Sequence, residues 1–210
     1  MTRGFTGFFL VPALLGLLFL AAPKAGAQTA ADPDEARAFI GKLSDDAVAV
    51  WANMKLTEAE REAEFRRLLH EGFDVDFISK LVLGRHMRTA SREQLLTYRE
   101  LFPAYIVNSF ARRLGDYSNE KLEVLDTAPA GSSDVFVRTR IVRPGGEPIA
   151  ADWRVRRVND IYRIVDIKVE GISLAVTQRD EFSSIIDRQG FDGLLDVLRK
   201  GATDEPATAE

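Results

Sequence analysis

The chain has 210 residues, 46% of them hydrophobic, a formal net charge of −4 and no cysteine. That length supports a single domain with a sizeable packed core, and the missing cysteines exclude any disulfide framework or thiolate chemistry. A mildly acidic balance argues against nucleic acid as a partner.

The first 27 residues have the layout of a cleaved secretory signal peptide. A short start containing Arg3 leads into an apolar run from Phe8 to Ala22, interrupted by Pro12, and then into Ala25-Gly26-Ala27, a small-x-small cleavage pattern. The run of about 15 residues falls short of the roughly 20 that a membrane-spanning helix needs. Cleavage removes Arg3 and Lys24 and no acidic residue, which moves the net charge from −4 to about −6. Residues 28–200 are read as one domain, and 201–210, small, polar and acidic, as a disordered tail.

The domain has a helical half followed by a strand half. Asp32-Pro33 is an N-cap with proline at the first helical position, and Phe39, Ile40, Leu43, Ala47, Val50, Trp51 and Met54 recur at helical spacing to about residue 54. Thr57-Glu58-Ala59-Glu60 is a capping box opening a second helix, with Phe65, Leu68 and Leu69 on its apolar side and Gly72 at its end. A short apolar segment, Val75 to Leu83, is closed by Gly84. Ser91-Arg92-Glu93-Gln94, a second capping box, starts the longest helix, with Leu95, Leu101, Phe102, Tyr105, Ile106 and Phe110 facing inward and Pro103 predicting a kink or break.

Beyond Gly115 the period changes. Residues 121–127, 134–143, 148–158 and 161–169 read as four strands joined by short Gly-, Pro- and Asn-Asp-containing turns, which makes antiparallel neighbours. Simple alternation puts Val135, Val137 and Ile141 on one face, with Ile149, Ala151, Trp153 and Val155 of the next strand. In the last strand it groups Ile161, Val165, Ile167 and Val169 with an awkward Arg163. The opposite face carries Arg138, Arg140, Arg154 and Arg156 interleaved with Asp152 and Asp166, and reads as a solvated outer surface. After Val169 the chain passes through Gly171 and resumes at helical spacing, as if a helix hung directly off the sheet. Two final helices, about 174–188 and 191–200, are separated by Gly190.

Catalytic signatures are missing. The two histidines, His70 and His86, are distant in sequence, and no metal-ligand spacing, nucleophile elbow, phosphate loop or dinucleotide fingerprint occurs. Asp166 and Glu170 share a strand face and are better read as outward polar residues than as an acid–base pair. The residues therefore point to a binding protein rather than an enzyme, with neither cofactor nor metal.

In this order and spacing, a set of short markers resembles the MlaC, or toluene-tolerance, family of periplasmic phospholipid-binding proteins. The markers are Leu83-Gly84-Arg85, Leu101-Phe102-Pro103-Ala104-Tyr105, Asp152-Trp153-Arg154, Val165-Asp166 with Glu170-Gly171-Ile172-Ser173-Leu174, Thr177 to Phe182, and Gly193-Leu194-Leu195. The resemblance covers about Ala36 to Lys200, and departs from the family after Arg85, where His86-Met87 stands in place of aromatics. It implies an α+β fold, in which a curved antiparallel sheet of four to five strands, of the nuclear-transport-factor-like type, is wrapped by helices around an apolar pocket for acyl chains.

The resemblance also implies a shuttle between the membranes. Its partners would be an inner-membrane ABC transporter complex with an MCE-type subunit and an outer-membrane lipoprotein–porin complex, with phospholipid as cargo. The family includes a hopanoid-associated branch, which leaves a hopanoid or another apolar ligand as the alternative cargo, with a small-molecule enzyme on the same scaffold as the lesser reading. The expected lining from the sheet is Val135, Val137, Ile141, Trp153, Val155, Val165, Ile167 and Val169. From the helices it is Ile78, Leu81, Val82, Phe102, Tyr105, Ile106, Phe110 and Leu174. Arg85 and Arg88, just past Gly84, are the expected headgroup contacts.

Overall fold

The computed structural model describes residues 30–114 and 120–203, with side chains omitted for 110–114. The signal-peptide reading therefore lies outside the described residues. In chain order the elements are α1 (Pro33–Ala52), α2 (Glu58–Gly72), α3 (Val75–Leu83), a 3-10 turn (Gly84–Arg88), α4 (Arg92–Leu114), β1 (Lys121–Ala130), β2 (Asp134–Val142), β3 (Ile149–Val158), β4 (Ile161–Val169), β5 (Ile172–Ser173) and α5 (Leu174–Thr203). The five strands form one antiparallel meander in sequence order.

Local chemistry sets the helix starts where the sequence places them. Asp32 Oδ1 accepts the amides of Asp34 and Glu35, each at 3.0 Å, and so satisfies donors that the first turn of α1 leaves unpaired. Thr57 and Glu60 form a reciprocal capping box at α2, and Ser91 and Gln94 do the same ahead of α4. Helix α4 runs through Pro103 without a break. In α5 the backbone leaves helical geometry at Gly190, whose φ of 73° suits a residue without a Cβ.

Three expectations need correction. First, β4 does not alternate simply. Its pairing with β3 shifts register between Arg154 and Val155, so that Ile164 faces Val155 while Asp166 faces Arg154 and Val165 is the extra residue of a bulge. Tyr162, Ile164, Ile167 and Val169 consequently share the apolar face with Val137, Trp153 and Val155. Arg163, opposite Arg156, moves to the polar face, where it donates to the Glu71 carbonyl. The bulge removes the one charge that alternation alone would have buried.

Second, the sheet does not pass straight into the last helix. Glu170 and Gly171, with φ of 48° and 79°, form a two-residue hairpin turn, and Ile172-Ser173 pairs back onto β4 as β5. Buried Asp166 secures this reversal by accepting Ser173 Oγ–H at 2.6 Å and the Ala175 amide at 3.2 Å. Glu170 Oε1 accepts the Ala150 amide at 2.6 Å. The two carboxylates thus hold backbone in place.

Third, residues 201–203 belong to α5 and not to a tail. Gly201 is buried in α5, where an added Cβ would stand 2.6 Å from the Tyr105 ring, and Asn108 Nδ2–H donates to the carbonyls of Gly201 and Ala202. The rest of the expected tail, 204–210, lies outside the described residues.

Two apolar clusters result. One packs α3, α4 and α5 through Val82, Tyr98, Phe102, Phe182, Leu194 and Leu198, and the other packs α1 on the inner sheet face through Ala36, Ile40, Val135, Val137, Val155 and Ile164.

Candidate functional site

The two clusters do not meet as a continuous core. Two hollows interrupt the packing, one between the two clusters and one beneath α1 beside the second. The smaller, about 280 Å3, is bounded by the α2–α3 junction, α4, β4 and the start of α5. The larger, about 450 Å3, is bounded by the second half of α1, by α2 and by the far ends of β1, β2 and β3. Leu69, Phe73 and Ile167 border both, so the hollows share a wall. Ligand sites in proteins run from roughly 300 to 1,000 Å3, and the larger hollow alone falls in that range.

The opening beneath α1 follows from how that helix is fastened. Among the described residues, its hydrogen bonds to the sheet are all near its start. The Ala31 amide donates to the Ser133 carbonyl at 2.9 Å, Tyr162 O–H donates to Glu35 at 2.6 Å, and Arg37 donates to the carbonyls of Leu125 and Val124 at 3.0 and 3.1 Å. Ala36 and Ile40 are the buried residues of α1. Beyond them Leu43, Ala47, Val48 and Trp51 continue the apolar stripe over the larger hollow instead of into the sheet, and Trp51 is steadied by the Phe65 ring at 5.9 Å.

Of the expected lining, Ile78, Val82, Phe102, Tyr105, Ile106, Val165, Ile167 and Leu174 border the smaller hollow. Ile141, Trp153 and again Ile167 border the larger. Trp153 is held there by its indole N–H, which donates to Thr139 Oγ1 at 3.0 Å. Val135, Val137 and Val155 border neither, because the start of α1 covers that stretch of sheet and packs them solid. Val169 joins the same cluster, and Leu81 packs among the helices. The Phe110 side chain is outside the described residues.

Arg85 and Arg88 border neither hollow. Both are exposed on the 3-10 turn, and Arg85 lies 3.4 Å from Asp187. His86 is buried beside them, its Nε2 3.2 Å from Ser183 Oγ, which is a packing role between the turn and α5. Among the described residues no three His, Asp or Glu side chains gather as a metal site would need.

Lining that the sequence reading left out comes chiefly from α1 and α2: Leu43, Ala47, Trp51, Leu69 and, just past α2, Phe73. Its signal was present. The apolar positions of α1 run on to Trp51, several turns past the residues that bury against the sheet.

The polar sheet face is a lattice of ion pairs. Arg140 pairs with Glu123 at 2.5 Å and Arg138 with Asp126 at 3.6 Å. Arg154 and Arg156 converge on Asp134 at 2.7 and 2.8 Å, and Arg156 also lies 4.2 Å above the Phe77 ring. Most of its positive charge is paired locally, which argues against docking on an anionic surface. Burial raises the Asp134 carboxyl, but the hydrogen bond from Arg156 and the charges of Arg156 and Arg154 outweigh that and hold it below the usual carboxylate range.

Comparison with known proteins agrees with this architecture. The chain is 23% identical over 134 residues to the intermembrane phospholipid transport system binding protein MlaC of Haemophilus influenzae, covering 62% of this chain and 63% of that one. It is 23% identical over 145 residues to the toluene tolerance protein ttg2D of Pseudomonas putida, covering 69% and 66%. The matches thus span just under two thirds of those relatives' length. The fold superimposes on the phospholipid-binding protein from Ralstonia solanacearum, solved in complex with a phospholipid, with a TM-score of 0.66 and 24% identity over 80% of this chain and 96% of that one. The family model described as MlaC protein matches residues 41–200, from within α1 to within α5, and the chain belongs to that family.

Proposed function

We propose that the protein is a phospholipid carrier that takes up lipid by its acyl chains and moves it between two membranes across the periplasm. The observation that carries this reading is the pair of adjoining apolar hollows between helices and sheet, each open at a rim with polar groups. Chains would lie inside and the headgroup outside. The names of the relatives, one a binding protein of a phospholipid transport system, support the same reading, as does the phospholipid held by the Ralstonia protein.

Such a carrier needs no reaction. Each buried methylene contributes about 0.8 kcal/mol, so two chains of roughly 14 methylenes represent about 22 kcal/mol gross. Escape from a bilayer into open water is prohibitive on that scale, whereas transfer into an apolar hollow largely cancels the cost. The protein lowers a barrier and leaves direction to its partners. We assign it, as a binding component, to an inner-membrane ABC transporter with an MCE-type subunit and to an outer-membrane lipoprotein–porin complex. Export by the segment 1–27 fits that placement. No helix among the described residues is long and apolar enough to cross a membrane.

Protein purified from bacteria without detergent or organic solvent should carry phospholipid at close to one equivalent. Organic extraction and mass spectrometry read this directly. A hopanoid in the extract would replace the cargo and keep the carrier; an extract free of any lipid from folded protein would refute both.

A further inference from the structure

The residues bordering the two hollows differ in charge. The smaller hollow has Asp166 and Glu181 with the neutral Ser109, Thr177 and Gln178 at its polar edge. The larger has Ser44, Glu120 and Arg143. Among the described residues, Arg143 is the one cationic side chain on either lining. We infer that Arg143, at the start of the β2–β3 turn, holds the phosphodiester of the bound lipid at the mouth of the larger hollow and thereby selects phosphate-bearing lipids. This rests on the carrier reading and goes further by naming the headgroup contact and the way the lipid is oriented.

Three features of Arg143 fit the role. It follows β2 directly, so its backbone is set by the sheet at the hollow's edge. Its Nη2–H donates to the Glu147 carbonyl at 2.9 Å, and the guanidinium lies against Gly146, where an added Cβ would come within 3.5 Å of Nε and Nη2. The group is therefore braced by the turn while other N–H donors remain. Finally, Arg138, Arg140, Arg154, Arg156 and Arg157 each have a carboxylate partner and Arg163 donates to the Glu71 carbonyl away from both hollows, whereas Arg143 stands on a hollow's lining and forms no ion pair among the described residues. A planar guanidinium matches two phosphate oxygens at once and binds them by charge-assisted hydrogen bonds.

The test offers delipidated protein equal amounts of dioleoylphosphatidylethanolamine and dioleoylglycerol, which share their acyl chains and differ by the phosphate-bearing headgroup. Extraction and mass spectrometry give the ratio bound. Wild type should favour the phospholipid, and Arg143→Gln should lower that ratio about three- to tenfold, the range for an exposed to partly shielded charge contact. Arg143→Lys should restore part of it, and Arg88→Gln should leave it unchanged. The exposed position of Arg143 predicts an unchanged melting temperature. An unaltered ratio in Arg143→Gln, or equal loss of both lipids, would overturn the assignment. Displacement of phospholipid by inorganic phosphate alone would show a free-anion site instead and would overturn it too. Wild type that takes up neither lipid would instead strike at the carrier reading itself.

Discussion

Leu69→Glu will empty the protein of lipid while leaving it folded. Leu69 lies on α2, is only partly buried, and borders both hollows together with Phe73 and Ile167. A carboxylate there faces hydrocarbon whenever chains occupy either side, and an ionised group moved out of water without a partner costs several kcal/mol. The empty protein avoids most of that cost, because water enters the hollows and solvates the charge. The substitution therefore discriminates between loaded and empty states. Lipid per protein, read by extraction, should fall by at least about tenfold, the equivalent of about 1.4 kcal/mol. Unfolding midpoints of delipidated wild type and variant should differ far less. The same change at Val137 would behave oppositely. That side chain is fully buried against Ala36 and Ile40, so a charge there removes the fold along with the lipid. If Leu69→Glu retains lipid at the wild-type level, the shared wall is not where chains run.

Asp134→Ala will cost more stability than any other single change on the outer sheet face, about 2–3 kcal/mol. The Asp134 side chain is 1% exposed, and its two oxygens receive Arg154 and Arg156 together. Removing it leaves Arg156, itself 16% exposed, crowded over Phe77 without its counter-charge. The pairs Arg140–Glu123 and Arg138–Asp126 are about half exposed and should contribute little by comparison.

Acid provides an independent check on Asp134. Its folded carboxyl titrates below the ordinary value of about 3.9. Its contribution is therefore present above that pH and is lost as pH falls through the lower, folded value. Wild-type stability measured by urea unfolding should decline in that range more steeply than that of Asp134→Asn. Parallel profiles would mean that the buried carboxylate does not organise this face.

Much of the scaffold was legible because it is encoded locally. Asp32-Pro33, Thr57 to Glu60 and Ser91 to Gln94 announce helix starts by hydrogen bonds within four residues, and Asn159-Asp160 announces a hairpin by tolerating positive φ at both positions. The bulge at Val165 was not legible. It depends on how β4 registers against β3, and one extra residue reverses every inward assignment on one side of it. For the same reason Arg163 looked buried in the sequence and is not.

The site was harder to read than the fold, because a hollow is an absence of packing that no residue pattern encodes. Val137 and Trp153 are alike as inward strand residues. They differ because α1 is fastened by Glu35 and Arg37 over the first and lifts away over the second. Arg143 escaped notice as one turn residue among many, and only the geometry places it at a rim.

The central claim is that hydrocarbon chains occupy the two hollows. Its most direct test uses a phospholipid with a photoactivatable diazirine midway along one acyl chain, loaded onto the protein and irradiated, with the labelled peptides mapped by mass spectrometry. Cross-links concentrated on the shared wall of Leu69, Phe73 and Ile167 and on neighbours such as Trp153 and Tyr105 are the predicted result. Labelling spread over the outer sheet face around Arg138 and Arg140, with the walls of the hollows unlabelled, would contradict it.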